Sequence, residues 1–178
     1  PIPGVREDVT VARGQLGRMR GPEGSGAGAF LVAGILWVTR ELWRAEGIHD
    51  YVCPSVVANE GVVYAIGGRQ NTATAIKAGG RGDVTETHVV WRTNKGSNVS
   101  SPVYHDGHLY WVHEGQGTVN CLSATPGDVV FQERLQPRPG TVYSSVLLAA
   151  GRLYVTSQHN GTFVIAARPE FEQLAAND

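Results

Sequence analysis

The chain has 178 residues, 42% of them hydrophobic, with 23 glycines and 9 prolines, which is length and apolar content enough for a domain with a sizeable core. Its 15 basic and 16 acidic groups leave a net charge of −1, so there is no basic stripe for a nucleic-acid backbone and no acidic tail for a cationic partner. Only 17% of residues are charged, below the ~25% usual in globular chains, and the many glycines therefore read as tight turns rather than disorder.

Residues 1–27 are rich in Gly, Arg and Pro with no strand period, and read as a disordered or non-native segment. The apolar run at 27–38 is too short for a membrane span, which needs about 20 residues. It also lacks the small-residue cleavage site of a signal peptide. AFLVAGILWVT lies over VLLAAGRLYVT when Gly34 is set on Gly151, and Trp37 then falls on Tyr154. ELWRAEG (41–47) follows as a closing strand around Trp43, so 28–49 reads as an incomplete copy of a unit that recurs downstream.

Three fuller copies occupy 50–96, 97–140 and 141–178. SVVANEGVVYAI, PVYHDGHLYWV and SVLLAAGRLYVT align on Gly61, Gly107 and Gly151, and their tyrosines Tyr64, Tyr110 and Tyr154 recur 46 and 44 residues apart. A turn and Thr follow each tyrosine, at Asn71-Thr72, Gly117-Thr118 and Gly161-Thr162, and then an apolar strand (ATAIKA, VNCLSA, FVIAA). Trp91, Phe131 and Phe171 mark an aromatic closing run in each copy. Asp106-Gly107 suits a type I′ hairpin turn, with Gly61, Gly151 and Asn160-Gly161 in the same role. One small sheet cannot bury both of its faces, so neighbours must stack on it. A period of 40–50 residues carrying four short strands predicts an all-β fold: a β-propeller fragment of about three complete four-stranded blades plus one incomplete blade.

With these units in view the chain resembles the quinoprotein-like (PQQ-like) propeller repeat family. The resemblance rests on ELWRAEG, on VVWRTNKGSNVSSPVYHDGHLYWVHEGQGTVNCLSA and on VYSSVLLAAGRLYVTSQHNGTFVIAA, which keep the family's order of closing tryptophan, Ser-Pro or Ser-Ser entry, Gly-x-Leu-Tyr hairpin and Gly-Thr corner. The family's Asp-x-x-Thr-Gly-x-x-x-Trp loop survives only as ATPGDVVF (124–131). Such a resemblance implies fold more than function. It implies a non-catalytic, protein-binding scaffold of the outer-membrane-assembly-lipoprotein kind, without a cofactor and exported to the periplasm or otherwise out of the cytoplasm. It implies as an alternative a segment of a PQQ-dependent dehydrogenase, which would bind PQQ with Ca²⁺; a third reading of the chain is an extracytoplasmic carbohydrate-binding or adhesion module.

The residues themselves assign no catalytic group. His105 and His108 flank a hairpin tip, where a metal pair is geometrically feasible but solvated histidines are the commoner occupants. Glu60, Asp106 and Glu114 are carboxylates near hairpins, in no pattern that matches a calcium and base arrangement. Arg81-Gly82-Asp83 and the Asn98 and Asn160 glycosylation patterns are short matches that turn propensity explains. Trp43 and Trp91 read as packing residues, while Trp111 should point to the opposite sheet face from Tyr110. Cys53 and Cys121 form no CxxC pair and read as buried, small apolar residues rather than a disulfide or a reactive thiol.

Overall fold

The computed structural model describes residues 42–177. Their strands are β1 (Trp43–Arg44), β2 (Val57–Asn59), β3 (Val62–Gly67), β4 (Thr72–Lys77), β5 (Gly82–Asp83), β6 (Val89–Thr93), β7 (Val103–His105), β8 (His108–Val112), β9 (Thr118–Ser123), β10 (Val129–Arg134), β11 (Leu147–Ala149), β12 (Arg152–Thr156), β13 (Thr162–Ala166) and β14 (Gln173–Asn177), with one helical turn, α1 (Thr85–His88), before β6. Three four-stranded antiparallel meanders result: β2-β3-β4-β6 (blade 1), β7-β8-β9-β10 (blade 2) and β11-β12-β13-β14 (blade 3). They fall within 50–96, 97–140 and 141–178.

The local chemistry of the repeat dictates each meander. The first hairpin turns on Glu60-Gly61, Asp106-Gly107 and Ala150-Gly151, and all six residues have φ between 45° and 77°. Positive φ at both central positions is the type I′ geometry, whose twist matches that of the flanking strands. The next hairpin ends on a left-handed residue in each copy, Asn71, Gly117 and Gly161. Here the structure corrects the type I′ reading of Asn160-Gly161: only Gly161 has positive φ, and the flanking pair Thr156 and Thr162 closes a longer loop. Register is shared too, with Tyr64 opposite Ala75, Tyr110 opposite Cys121 and Tyr154 opposite Val164. In every blade the N–H of an alanine donates to the carbonyl of the first turn's glycine: Ala78 to Gly61 (2.7 Å), Ala124 to Gly107 (2.8 Å) and Ala167 to Gly151 (3.0 Å).

Alternation along the strands then decides which blade meets which. Tyr64, Ile66, Ala73 and Ala75 of blade 1 share a core with Leu109, Trp111, Leu122 and Ala124 of blade 2. The opposite face of blade 2, with Tyr110, Val112, Val119 and Cys121, packs on Leu153, Val155, Phe163 and Ile165 of blade 3. Each large side chain removed from water in these seams contributes about 1.5–3 kcal/mol. Tyr64 and Tyr110 are buried in this way, whereas Tyr154 is half-buried. It lies on the far face of blade 3, against which no other described sheet packs.

Three expectations meet a different structure, and one falls where no structure is described. The 1–27 segment and the 28–41 part of the incomplete blade lie outside the described residues. Trp43 and Arg44 do not close an antiparallel sheet; they pair in parallel with Gly82 and Asp83 of the loop that follows β4. Phe171 is not the register equivalent of Phe131. Trp91 stands opposite Ala75 and Phe131 opposite Cys121, but Ala175 stands opposite Val164. Each outermost pairing carries a bulge or irregularity, and a count of residues does not carry across one. Phe171 precedes β14 and packs edge-on against Phe131, ring centroids 5.6 Å apart. Cys53 is exposed and Cys121 is buried, both as free thiols; Cys53 sits in the irregular approach to β2.

Candidate functional site

The polar groups at the seam of blades 1 and 2 are organised around Glu114, at the end of β8. The Ser97 hydroxyl donates to Glu114 Oε2 at 2.8 Å and the Asn98 N–H at 3.2 Å. Ser97 is fully buried. Burial disfavours charge on Glu114, yet the backbone, Ser97 and Asn98 hydrogen bonds outweigh it and hold the carboxyl below its ordinary value. The Gly115 N–H donates to His113 Nδ1 at 3.3 Å, which leaves the ring proton on Nε2. Nε2 faces the Asn71 amide at 3.4 Å. Asn71 Oδ1 is buried without a partner, and an amide with its oxygen turned toward Nε2 closes the network.

Beside this network is a pocket of about 340 Å³. Its inner wall holds Asn71, His113 and Thr118; Asn120 and Gln132 line it from β9 and β10, and Lys95 and Arg134 add two cations. Asn120 is 2% exposed and hydrogen-bonded on both sides: Gln132 Nε2 donates to its Oδ1 at 2.5 Å, and its Nδ2 donates to the Thr118 carbonyl at 3.2 Å. Its cross-strand neighbour is Trp111, which is fully buried and donates from Nε1 to the Lys95 carbonyl at 2.9 Å. Sequence reading singled out Trp111 and missed Asn120 and Gln132. The available signal was Asn120 itself, an amide in the middle of the mostly apolar run VNCLSA.

A second surface gathers at the approaches to the innermost strands. The Ser55 N–H donates to Ser101 Oγ at 2.9 Å, and the Ser101 N–H to Ser145 Oγ at 3.3 Å. These equivalent serines tie the three approach segments side by side. Large apolar side chains stand out from the segments and from the start of β11: Tyr51, Val52, Val56, Tyr143 and Leu147, each more than half exposed. Tyr51 and Tyr143 are close enough to interact electrostatically, and the Tyr51 hydroxyl is raised by its hydrogen bond to Cys53 and by the Cys53 and Tyr143 groups nearby.

The remaining sequence candidates lie at turns, loops and strand ends. His105 and His108 face each other across the hairpin, and His108 Nδ1 donates to the Asp106 carbonyl at 2.7 Å. Among the described residues no group of three His, Cys, Asp or Glu side chains could hold a metal ion. Glu60 and Asp106 occupy first-hairpin turns, while Glu114 lies at the opposite end of β8 from Asp106. Asp83 of the Arg-Gly-Asp triplet accepts from the Thr85 N–H at 3.0 Å and pairs with Arg44 at 3.5 Å. Ser100 of the Asn98 pattern is fully buried, and Asn160 Nδ2 donates to the Arg138 carbonyl.

No family model matches the chain, and no curated protein matches it. Solved structures do. The computationally designed Ika4 protein aligns with a TM-score of 0.57 at 13% identity, over 78% of this chain and 79% of its own. The quinohemoprotein alcohol dehydrogenase ADHIIG from Pseudomonas putida HK5 aligns with a TM-score of 0.55 at 14% identity, over 71% of this chain and 21% of its own. BamB from Moraxella catarrhalis aligns with a TM-score of 0.50 at 17% identity, over 71% of this chain and 36% of its own. The fold is that of a β-propeller fragment, and the chain spans 36% of the BamB chain and 21% of the ADHIIG chain. Among the described residues no helix is long and apolar enough to cross a membrane.

Proposed function

We propose that the chain is part of a PQQ-like propeller that serves as a non-catalytic, protein-binding scaffold outside the cytoplasm. One observation carries this reading: the serine-linked approach segments and the first residue of β11 present Tyr51, Val52, Val56, Tyr143 and Leu147 to solvent, with Tyr51 and Tyr143 close to each other. Exposed apolar surface rimmed by polar residues is what protein partners dock on, and tyrosines are enriched there. The fold shared with BamB supports the reading, as does export in the family that the repeats resemble.

A segment of a PQQ-dependent dehydrogenase is the second reading, supported by the fold shared with ADHIIG. It would need carboxylate oxygens gathered on one calcium ion. Asp106 and Glu114 stand at opposite ends of one strand, and Glu114 is already engaged by Ser97 and Asn98.

The test is cross-linking mass spectrometry of the intact protein in its own cell envelope, alongside Val56→Glu and Tyr143→Ala variants. The scaffold reading expects a specific partner cross-linked near residues 51–56 and 143–147, and its loss in both variants. Alcohol or sugar oxidation by the purified protein supplied with PQQ and Ca²⁺ would replace it with the second reading.

A further inference from the structure

The three blades carry different residues at one register position of the third strand. Thr74, Asn120 and Phe163 each sit one residue before the partner of the repeat tyrosine, on the face that in blades 2 and 3 is turned toward the preceding blade. In blade 3 that residue is an apolar plug, Phe163, fully buried against blade 2. In blade 2 it is an amide, and beside it lies the 340 Å³ pocket rather than continuous core. A buried amide is costly unless its hydrogen bonds are arranged for it. Gln132 and the Thr118 carbonyl arrange them here, so the floor of the pocket is fixed before anything enters it.

We infer that this pocket is a binding site for a small hydroxylated carboxylate, of the sugar-acid class. The volume lies in the range of ligand sites, about 300–1,000 Å³. Lys95 and Arg134 both line it, and among the described lining residues there is no carboxylate to neutralise them. That charge selects an anion. Asn94, Gln116 and Gln132 also line it, and a carboxamide both donates and accepts, as a run of hydroxyls requires. A bare inorganic anion would leave those amides idle, and a neutral sugar would leave the cations unpaired. A shallower groove of about 460 Å³ adjoins at Asn94 and adds Arg92 and His49, room for a second unit of the same chemistry.

The experiment is isothermal titration of the intact protein with glucuronate, and separately with glucose, acetate and inorganic phosphate. Glucuronate should bind saturably, more weakly as salt is raised, with glucose, acetate and phosphate each weaker by about tenfold or more. The double variant Lys95→Gln/Arg134→Gln, with its thermal midpoint unchanged, should lose glucuronate binding by at least about tenfold. Gln116→Ala should weaken glucuronate and leave the residual acetate interaction alone. The inference is overturned if glucuronate gives no saturable heat with folded protein, if glucose, phosphate or acetate matches it, or if the double variant binds it unchanged.

Discussion

The Trp91 indole N–H donates to the carbonyl of Ala124 at 2.8 Å, joining blade 1 to blade 2 across their seam. Gly127 closes on the same ring. A Cβ built there would stand 2.5 Å from Trp91 Cδ2 and Cγ, and its φ of +98° is one that L side chains rarely adopt. Gly127→Ala is therefore expected to cost about 2–4 kcal/mol. Trp91→Phe keeps an aromatic ring on Tyr64 but strands the Ala124 carbonyl, at about 1–2 kcal/mol. Urea midpoints of the two variants measure both, and an unchanged midpoint for Gly127→Ala would show that the ring can move aside.

The blades were readable in the sequence because hairpins and alternation are local. Asp106-Gly107 specifies its turn within two residues, and Tyr64, Tyr110 and Tyr154 recur with the strands that carry them. What escaped was non-local. The pairing of Trp43 with Gly82 joins segments 39 residues apart through a loop with no strand pattern, and the bulges of the outermost pairings separated Phe171 from the position it was aligned to. The polar pocket escaped for another reason: Asn120 is a single departure inside an apolar strand, and only its three-dimensional register with Phe163 shows that a core position has been given up.

Ala150 holds φ = +48° in its turn, where blade 2 has Asp106 at +45°. A left-handed alanine bears a steric cost of about 1–2 kcal/mol that Asn and Asp partly escape through local hydrogen bonding. Ala150→Asn is expected to stabilise the protein by about 0.5–1 kcal/mol, raising the thermal midpoint by about 1–4 °C. Differential scanning calorimetry decides it, and a lowered midpoint would contradict the type I′ assignment.

Glu114 gives stability a pH dependence of definite sign. Burial works against its charge, but its hydrogen bonds hold the folded carboxyl below the unfolded value of about 4.3. Its contribution is fully present above that unfolded value and is lost as pH falls through the lower, folded one. Glu114→Gln should thus be less stable than the parent near neutral pH, with the two denaturant midpoints converging in acid. A gap that stays constant down to the lowest pH would remove Glu114 as the cause.

The two thiols differ in exposure and should differ in reactivity. Burial pushes the Cys121 thiol up to about 11, while its hydrogen bond with Tyr110 acts in the opposite direction. Cys53 is exposed. A thiol reagent on native protein should label Cys53 quickly and leave Cys121 untouched until the chain is unfolded. Peptide mapping of the label distinguishes them, and rapid native labelling of Cys121 would mean that the seam of blades 2 and 3 opens readily.

Blade 3 differs from the others on the face that bears Tyr154. Where blade 1 places Ile66 opposite Ala73 and blade 2 places Val112 opposite Val119, blade 3 places Thr156 opposite Thr162. Their hydroxyls lie 3.1 Å apart and hydrogen-bond to each other. Two hydroxyls satisfied in this way make that part of the face polar, while Tyr154 and Leu147 on the same face retain its capacity to pack. Thr156→Val/Thr162→Val restores the apolar pattern of the buried seams with almost no change of shape. The double variant should keep its unfolding midpoint within about 0.5 kcal/mol and gain concentration-dependent self-association in sedimentation velocity. A variant that stays monomeric at every concentration would show that the threonine pair does not hold this face apart from other apolar surfaces.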